Sequence, residues 1–264
     1  MSELLEAILL GVVQGLTEFL PVSSSGHLEI FKAIFGYEGT GEESLLLTVT
    51  LHGATALSTM VIFRKDIYSI VRDLFQFSWN SGTQLTLWII ISMIPATLVG
   101  LFLEDEIERL FEGQLTFVAL MLFITGILLL VADLIKDGER LVEVRNSFVI
   151  GLAQAVAILP GISRSGATIA TGLLLKVDRG KAAGFSFLMV LPLIFGKMAK
   201  DLITGDYSES VIDPSILIAG SLSAFIVGMV ACRWMLTIVR RAQLKYFSIY
   251  CFAVATAVII YVLA

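Results

Sequence analysis

Within the stretch Gly11 to His27 of an otherwise strongly apolar chain stand Gln14, Glu18, Ser23, Ser24, Ser25 and His27. Gln14 and Glu18 are spaced i, i+4 and share one helix face. Pro21 stops that helix, and the three serines start another. Serine at a helix start ordinarily caps it by accepting bonds from orphan N–H groups. The same geometry aims free N–H groups and the positive helix end into the turn, which makes an anion site. His27, beside a carboxylate and hydroxyls, is placed for acid–base work or nucleophilic attack.

A second stretch repeats the device. Gly151, Gln154 and Leu159-Pro160-Gly161-Ile162-Ser163-Arg164-Ser165-Gly166 parallel Gly11, Gln14 and Leu20-Pro21-Val22-Ser23-Ser24-Ser25-Gly26. The first and last glycines are 15 positions apart in both, with the proline displaced by one. Here Arg164 is added, with Ser163, Ser165 and Thr168 around it. Arginine is the side chain best suited to bidentate phosphate binding; pairing with Glu18 is its plainer role, and the two are compatible. Two helix N-termini, one Arg, hydroxyls, a carboxylate and an imidazole point to a phosphate- or diphosphate-handling site. There is no Walker loop, dinucleotide fingerprint or zinc spacing. His52, the only other histidine, reads as a packing residue beside Gly53. Glu29 reads as a supporting group or a charge at the hairpin mouth, and Asp133 as interfacial.

These residues must be positioned by membrane helices. The 264 residues are 57% hydrophobic and 16% charged, with a mean hydropathy of +0.90, against about 25% charge in soluble domains. The chain reads as an all-α polytopic membrane protein, a single integral domain over 1–264. Strand alternation is absent, so an outer-membrane barrel is disfavoured. Glu3 and Glu6 replace the basic start of a cleavable signal peptide. The net charge of −5 is spread over loops, and nucleic acid is not an expected partner. Cys232 and Cys251 lie in apolar stretches and read as small core residues. Gly100, Gly126, Gly220 and Gly228 permit close helix packing within or between chains, which leaves a homodimer open.

Ten helical segments are expected, near 3–20, 25–36, 44–63, 84–103, 114–135, 147–159, 166–176, 181–203, 214–237 and 244–263. A span needs roughly 20 apolar residues. The six long segments after the first hairpin qualify; the segments at 25–36, 147–159 and 166–176 are too short and form, with their neighbours, two re-entrant hairpins. Broken backbone at that depth is tolerated only inside protein or beside a water-filled cavity. Basic residues gather at Arg64, Lys65 and Arg72, at Lys136, Arg140 and Arg145, at Lys176, Arg179 and Lys181, and at Arg240, Arg241 and Lys245. The other loops are acidic: Glu38, Glu42 and Glu43, then Glu104 to Glu112, then Asp206, Glu209 and Asp213. With the basic loops cytoplasmic, both termini lie outside, and the first hairpin enters from outside, the second from the cytoplasm. Each hairpin is followed by three spans, an odd number, so the halves 1–136 and 146–264 form an inverted-topology repeat, an architecture shared with transporters.

At these motifs the sequence resembles the undecaprenyl-diphosphate phosphatase family of the bacitracin-resistance type. The first family motif matches from Gln14 to His27 and the second from Pro160 to Thr168, and the resemblance covers essentially the whole chain. It implies hydrolysis of undecaprenyl diphosphate to the monophosphate in the plasma membrane, at a site facing outside, with help from Mg²⁺ or Ca²⁺. By resemblance Glu18, Ser24, His27 and Arg164 are the catalytic residues, and Ser23, Ser163, Ser165 and Thr168 support them; Gln14 and Ser25 are added as substrate-binding candidates. Many members carry Glu where this chain has Gln14, which leaves Glu18 as the one carboxylate for a metal held jointly with substrate phosphates. Either Ser24 attacks phosphorus, with His27 or Glu18 as base, or His27 is itself the nucleophile. A flippase for the lipid phosphate is the alternative reading, motivated by the inverted repeat.

Overall fold

Why the chain folds around its two turns is visible in the order of its helices. The computed structural model describes residues 3–35, 41–111, 114–204 and 213–263. Among them are twelve α-helices: α1 Glu3–Thr17, α2 Ser24–Phe35, α3 Gly41–Ile62, α4 Arg64–Leu74, α5 Ser81–Phe102, α6 Glu104–Phe111, α7 Leu115–Asp133, α8 Val144–Val156, α9 Arg164–Leu174, α10 Arg179–Thr204, α11 Pro214–Arg240 and α12 Lys245–Leu263. No strand occurs among the described residues, only an isolated bridge between Arg140 and Val177 that ties the linker of the two halves to the end of α9. The acidic residues Glu38, Glu112, Asp206 and Glu209, counted above toward the outer loops, lie outside the described residues.

Two helices were not expected from the sequence. α4 and α6 occupy stretches read as charged loops. In α4, Ile67 and Ile70 follow Phe63 at helical spacing and pack against the main core, while Arg64, Lys65 and Arg72 stay outside. A short amphipathic helix of this kind lies along an apolar surface, and its charged, loop-like composition hid it. Five helices are long and apolar enough to cross a membrane: α5, α7, α10, α11 and α12. α3 joins them only when counted together with α4, from which it is bent by 78° at Phe63.

The short helices are held by unusually close backbone contacts. α1 lies on α11: a Cβ on Gly11 would stand 2.3 Å from the Gly220 carbonyl oxygen, and one on Gly15 2.7 Å from that of Ala224. α8 lies on α5 in the same manner: a Cβ on Gly151 would stand 2.4 Å from the Ser92 carbonyl oxygen. Small residues let helix backbones approach where there is no aqueous hydrophobic drive between them. Gly220, Gly228 and Gly126 are thus used within the chain, Gly126 against the Phe252 ring, whereas Gly100 faces nothing within 4 Å. α1 and α11 run in parallel, since Gly11 meets Gly220 and Gly15 meets Ala224 and Gly228. The end of α1 therefore stops near the middle of α11, where Phe19 packs on Gly228 and edge-on to Phe187.

Candidate active site

The two helix breaks abut. Past Thr17 the chain turns through Glu18 to Val22 and restarts at Ser24; past Val156 it turns through Ile162 and restarts at Arg164. A Cβ on Gly26 would sit 3.1 Å from Gly161 Cα, and one on Gly166 3.3 Å from Pro21 Cβ. The restarts share a hydrogen-bonding pattern. Ser23 Oγ accepts from the Gly26 N–H at 3.3 Å and lies 3.4 Å from Ser25 Oγ. Ser163 Oγ accepts from the Gly166 N–H at 3.0 Å and lies 3.3 Å from Ser165 Oγ. Ser23 and Ser163 are thus helix caps, the plain role open to them. A positive φ is needed in each turn: Gly161 takes it at 98°, and Ser23, a residue that pays for it, at 70°.

Glu18 is the centre of the cluster, with only 8% of its side chain exposed. One carboxylate oxygen accepts from Gln14 Nε2 at 3.1 Å and Ser24 Oγ at 2.9 Å; the other accepts from Arg164 Nη2 at 2.5 Å. A buried carboxylate satisfied by three donors from three helices is a strong organising element. Arg164 also donates to the Ser186 carbonyl at 3.4 Å, and Thr168 Oγ1 bonds both the Arg164 carbonyl (2.8 Å) and Ser186 Oγ (2.6 Å). Ser165 donates to the Leu20 carbonyl at 3.3 Å and ties the second turn to the first. His27 Nδ1 is 2.8 Å from the Ser23 carbonyl, which can only accept, so Nδ1 carries the proton. Nε2 of the neutral ring then accepts from the Tyr250 hydroxyl at 2.8 Å, and the two rings stack 5.6 Å apart.

All ten residues singled out from the sequence lie at or beside this junction: Gln14, Glu18, Ser23, Ser24, Ser25 and His27 in the first turn, Arg164, Ser163, Ser165 and Thr168 in the second. Gln154, the counterpart of Gln14, is buried with neither amide atom paired. Four further groups belong to the cluster. His52, read from the sequence as a packing residue, brings Nε2 to 3.8 Å from the Glu18 oxygen that holds Ser24. Ser186 is a lone polar residue in the apolar stretch of α10, and Tyr250 stands two positions after Ser248 in α12. Thr125 Oγ1 on α7 donates to the Gly161 carbonyl and accepts from the Ser163 N–H, both at 3.0 Å, and so fixes the second turn. A small polar residue in the middle of a span was the one available signal for Ser186 and Thr125, and it carries no address. Glu29 pairs with Lys32 at 3.3 Å, Asp133 caps the start of α12 through the Leu244 N–H, and Cys232 and Cys251 are buried and free.

The family model of bacitracin resistance protein BacA matches residues 7–257. The chain is 57% identical to an undecaprenyl-diphosphatase of Christiangramia forsetii, with 99% of both chains covered. It is 48% identical to one of Bacteroides fragilis (98% of both) and 40% identical to one of Methanococcus vannielii (98% of this chain, all of the other). The fold and site describe a polytopic helical membrane protein with a carboxylate, a guanidinium, hydroxyls and an imidazole clustered at the meeting of two broken helices. This chain belongs to the BacA family.

Proposed function

We propose that this protein is an undecaprenyl-diphosphate phosphatase: it hydrolyses the terminal phosphate from undecaprenyl diphosphate and returns the monophosphate carrier to cell-wall synthesis. The observation that carries this reading is one carboxylate, Glu18, holding a nucleophile-type hydroxyl on one oxygen and a guanidinium on the other. Arg164 and the free N–H groups at the starts of α2 and α9 offer donors to a phosphoryl group, where charge develops during transfer. Ser24 attacks the terminal phosphorus and Glu18 takes its proton. His27 is less available for attack, because both ring nitrogens are engaged and Tyr250 covers Nε2. Trapping the phosphoenzyme tests the assignment: acid-stable label on Ser24 is expected, and label on His27 overturns it.

A divalent cation fits as a substrate-bridging ion. Gln14 Oε1 is a buried oxygen without a donor beside Glu18, and no cluster of three or more His, Cys, Asp or Glu suited to a metal exists among the described residues. Mg²⁺ or Ca²⁺ would be held by Gln14, Glu18 and the substrate phosphates, and would neutralise charge on the diphosphate. The prenyl tail lies between the apolar helices.

The finer architecture is six spans with two re-entrant hairpins, in halves 1–136 and 146–264 related by inverted topology. The paired packing of α1 on α11 and α8 on α5, and the matching serine pairs of the two turns, support it. The protein sits in the plasma membrane with the site reached from outside, as the acidic side of α11 and the parallel course of α1 suggest. Membrane-impermeant thiol labelling of Asp213→Cys but not Arg240→Cys in whole cells tests that orientation. Phosphate release by purified protein, lost in Arg164→Ala and Glu18→Gln, tests the function itself. Against the flippase reading, simple carriage of a lipid phosphate has no need of a hydroxyl held on a carboxylate, and the relatives named above are phosphatases by name.

A further inference from the structure

We infer that the basic end of the bundle carries a second ligand site, shaped for the headgroup of a zwitterionic phospholipid whose phosphate bears a primary amine. A cavity of about 780 Å³ lies there between α4, α5, α10, the end of α11 and the linker at 137–142. That volume is within the roughly 300–1,000 Å³ common to small-molecule sites. The cavity is apart from the catalytic cluster. On α10, Lys181, Gly184, Phe185 and Leu188 line it, whereas Ser186 turns to Arg164 and Thr168. Phe63, part of the cavity wall, packs on Phe187, and Phe187 packs on Phe19. Packed rings thus stand between the cavity and the first catalytic turn.

The charged groups of the wall fall into two sets. Asp178 caps α10, its Oδ1 accepting from the Lys181 N–H at 2.9 Å, and Asp137 pairs with Arg179 Nε. Arg179 has 6% of its side chain exposed and donates Nη2 to the Ile135 carbonyl at 2.8 Å, yet its buried Nη1 has no partner. A buried donor left without an acceptor is uncommon in native structures. The side chains of Lys181, Arg240 and Asp66 are exposed and make no hydrogen bond or ion pair among the described residues. Arg240 lies over the first turn of α10, where a Cβ on Gly180 would stand 3.4 Å from its Nε. Two unpaired cations suit a phosphate, and one unpaired carboxylate suits an ammonium. A purely anionic headgroup would find Asp66 in the same cavity. Trp88, Leu141 and Leu236 supply the apolar wall that the first carbons of acyl chains require. The depth is right as well. At Phe63 the chain bends by 78° into amphipathic α4, and Tyr68, Phe77 and Trp79 are exposed beside Arg64, Lys65 and Arg72. Aromatic and basic residues gather where a membrane meets water, which puts the cavity at headgroup level.

Native mass spectrometry of the delipidated, detergent-solubilised protein tests the site, with phosphatidylethanolamine, phosphatidylglycerol and chainless phosphoethanolamine as the added ligands. Phosphatidylethanolamine is expected to bind about tenfold more tightly than phosphatidylglycerol, the worth of one charge-assisted contact. Phosphoethanolamine, without chains for the apolar wall, should bind weakly. Arg240→Gln should weaken phosphatidylethanolamine about tenfold, and Asp66→Asn should remove its advantage over phosphatidylglycerol. Gly184→Leu tests the cavity without touching a charge. A Cβ there meets only Phe63, at 3.9 Å, so the new side chain grows into the cavity, and leucine favours the helix over glycine. That variant should lose the lipid with no fall in unfolding temperature. Equal binding of the two lipids by the wild type overturns the inference, as does phosphatidylethanolamine binding unchanged in Arg240→Gln and Gly184→Leu. Phosphoethanolamine bound as tightly as the lipid would make the ligand a soluble one and overturn the lipid assignment.

Discussion

Residues 23–26 and 163–166 are the same piece of structure made twice, with a serine capping a glycine N–H and a second serine beside the first. Between those serines stands Ser24 in one turn and Arg164 in the other. The positions 140 residues after Glu18 and His27 are Ile158 and Ala167. One turn thus supplies the acid, the hydroxyl and the imidazole, and the other the cation. The bracing differs as well. Thr125 holds the second turn with two hydrogen bonds at 3.0 Å, whereas the first has the Cys251 thiol at 3.9 Å from the Pro21 carbonyl and Ser165 on Leu20. Positive φ falls on a glycine in the second turn but on Ser23, next to Ser24, in the first. The second turn takes its positive φ on a glycine; the first stores strain beside Ser24, the hydroxyl proposed to react, and strained backbone tends to gather at functional sites.

Exchanging the groups that distinguish the turns has the largest effects. Arg164→Ala is expected to lower kcat/KM by about 10³, with Arg164→Lys recovering little of it, because the loss is of oriented donors to the transition state; steady-state phosphate release measures both. Glu18→Gln leaves the partly buried Arg164 without its charge partner and should cost about 2 kcal/mol of stability by thermal unfolding, alongside the loss of activity. Activity retained in both would remove the division of labour between the turns.

Changes at what the turns share should act equally. Gly11→Ala and Gly151→Ala push a Cβ into a backbone carbonyl at 2.3 and 2.4 Å, and each should destabilise by about 1–3 kcal/mol. A cost in one half alone would argue against equivalent packing. Thr125→Val removes two buried hydrogen bonds and leaves a buried N–H and C=O unpaired, for about 2 kcal/mol; Cys251→Ala, with its long thiol contact, should cost clearly less. The smallest effect is the sharpest. Ser23→Gly relieves the positive φ, worth about 1 kcal/mol, against a cap loss of a few tenths, so it should raise the unfolding temperature slightly. Ser163→Gly, at an ordinary φ of −73°, should lower it. Equal signs would mean that the strain difference is not real.

Much of this was readable in the order of residues. The apolar composition, the long apolar runs and the Pro-Ser turns fixed the helices to within a few positions, since membrane helices must satisfy their own backbone and break only where a proline and capping residues allow. Charge segregation hid α4 and α6, because a short amphipathic helix and a polar loop have similar composition. The motif pair put all ten candidate residues in two clusters, yet no spacing shows that positions 18 and 164 touch.

What the sequence alone determined is the chemistry on offer: one acid, one guanidinium, hydroxyls and one imidazole, near two helix starts in a membrane chain. What only the tertiary structure decided is which of them meet. Glycine-mediated contacts of α1 on α11 and of α8 on α5 bring the turns together, so that Ser24 and Arg164 share Glu18. The same packing draws in His52, Ser186, Thr125 and Tyr250 from helices that show no site motif in their sequence. Those partnerships depend on where side chains point across the bundle, and a single polar residue in an apolar helix does not encode its partner until the neighbouring helix is in place.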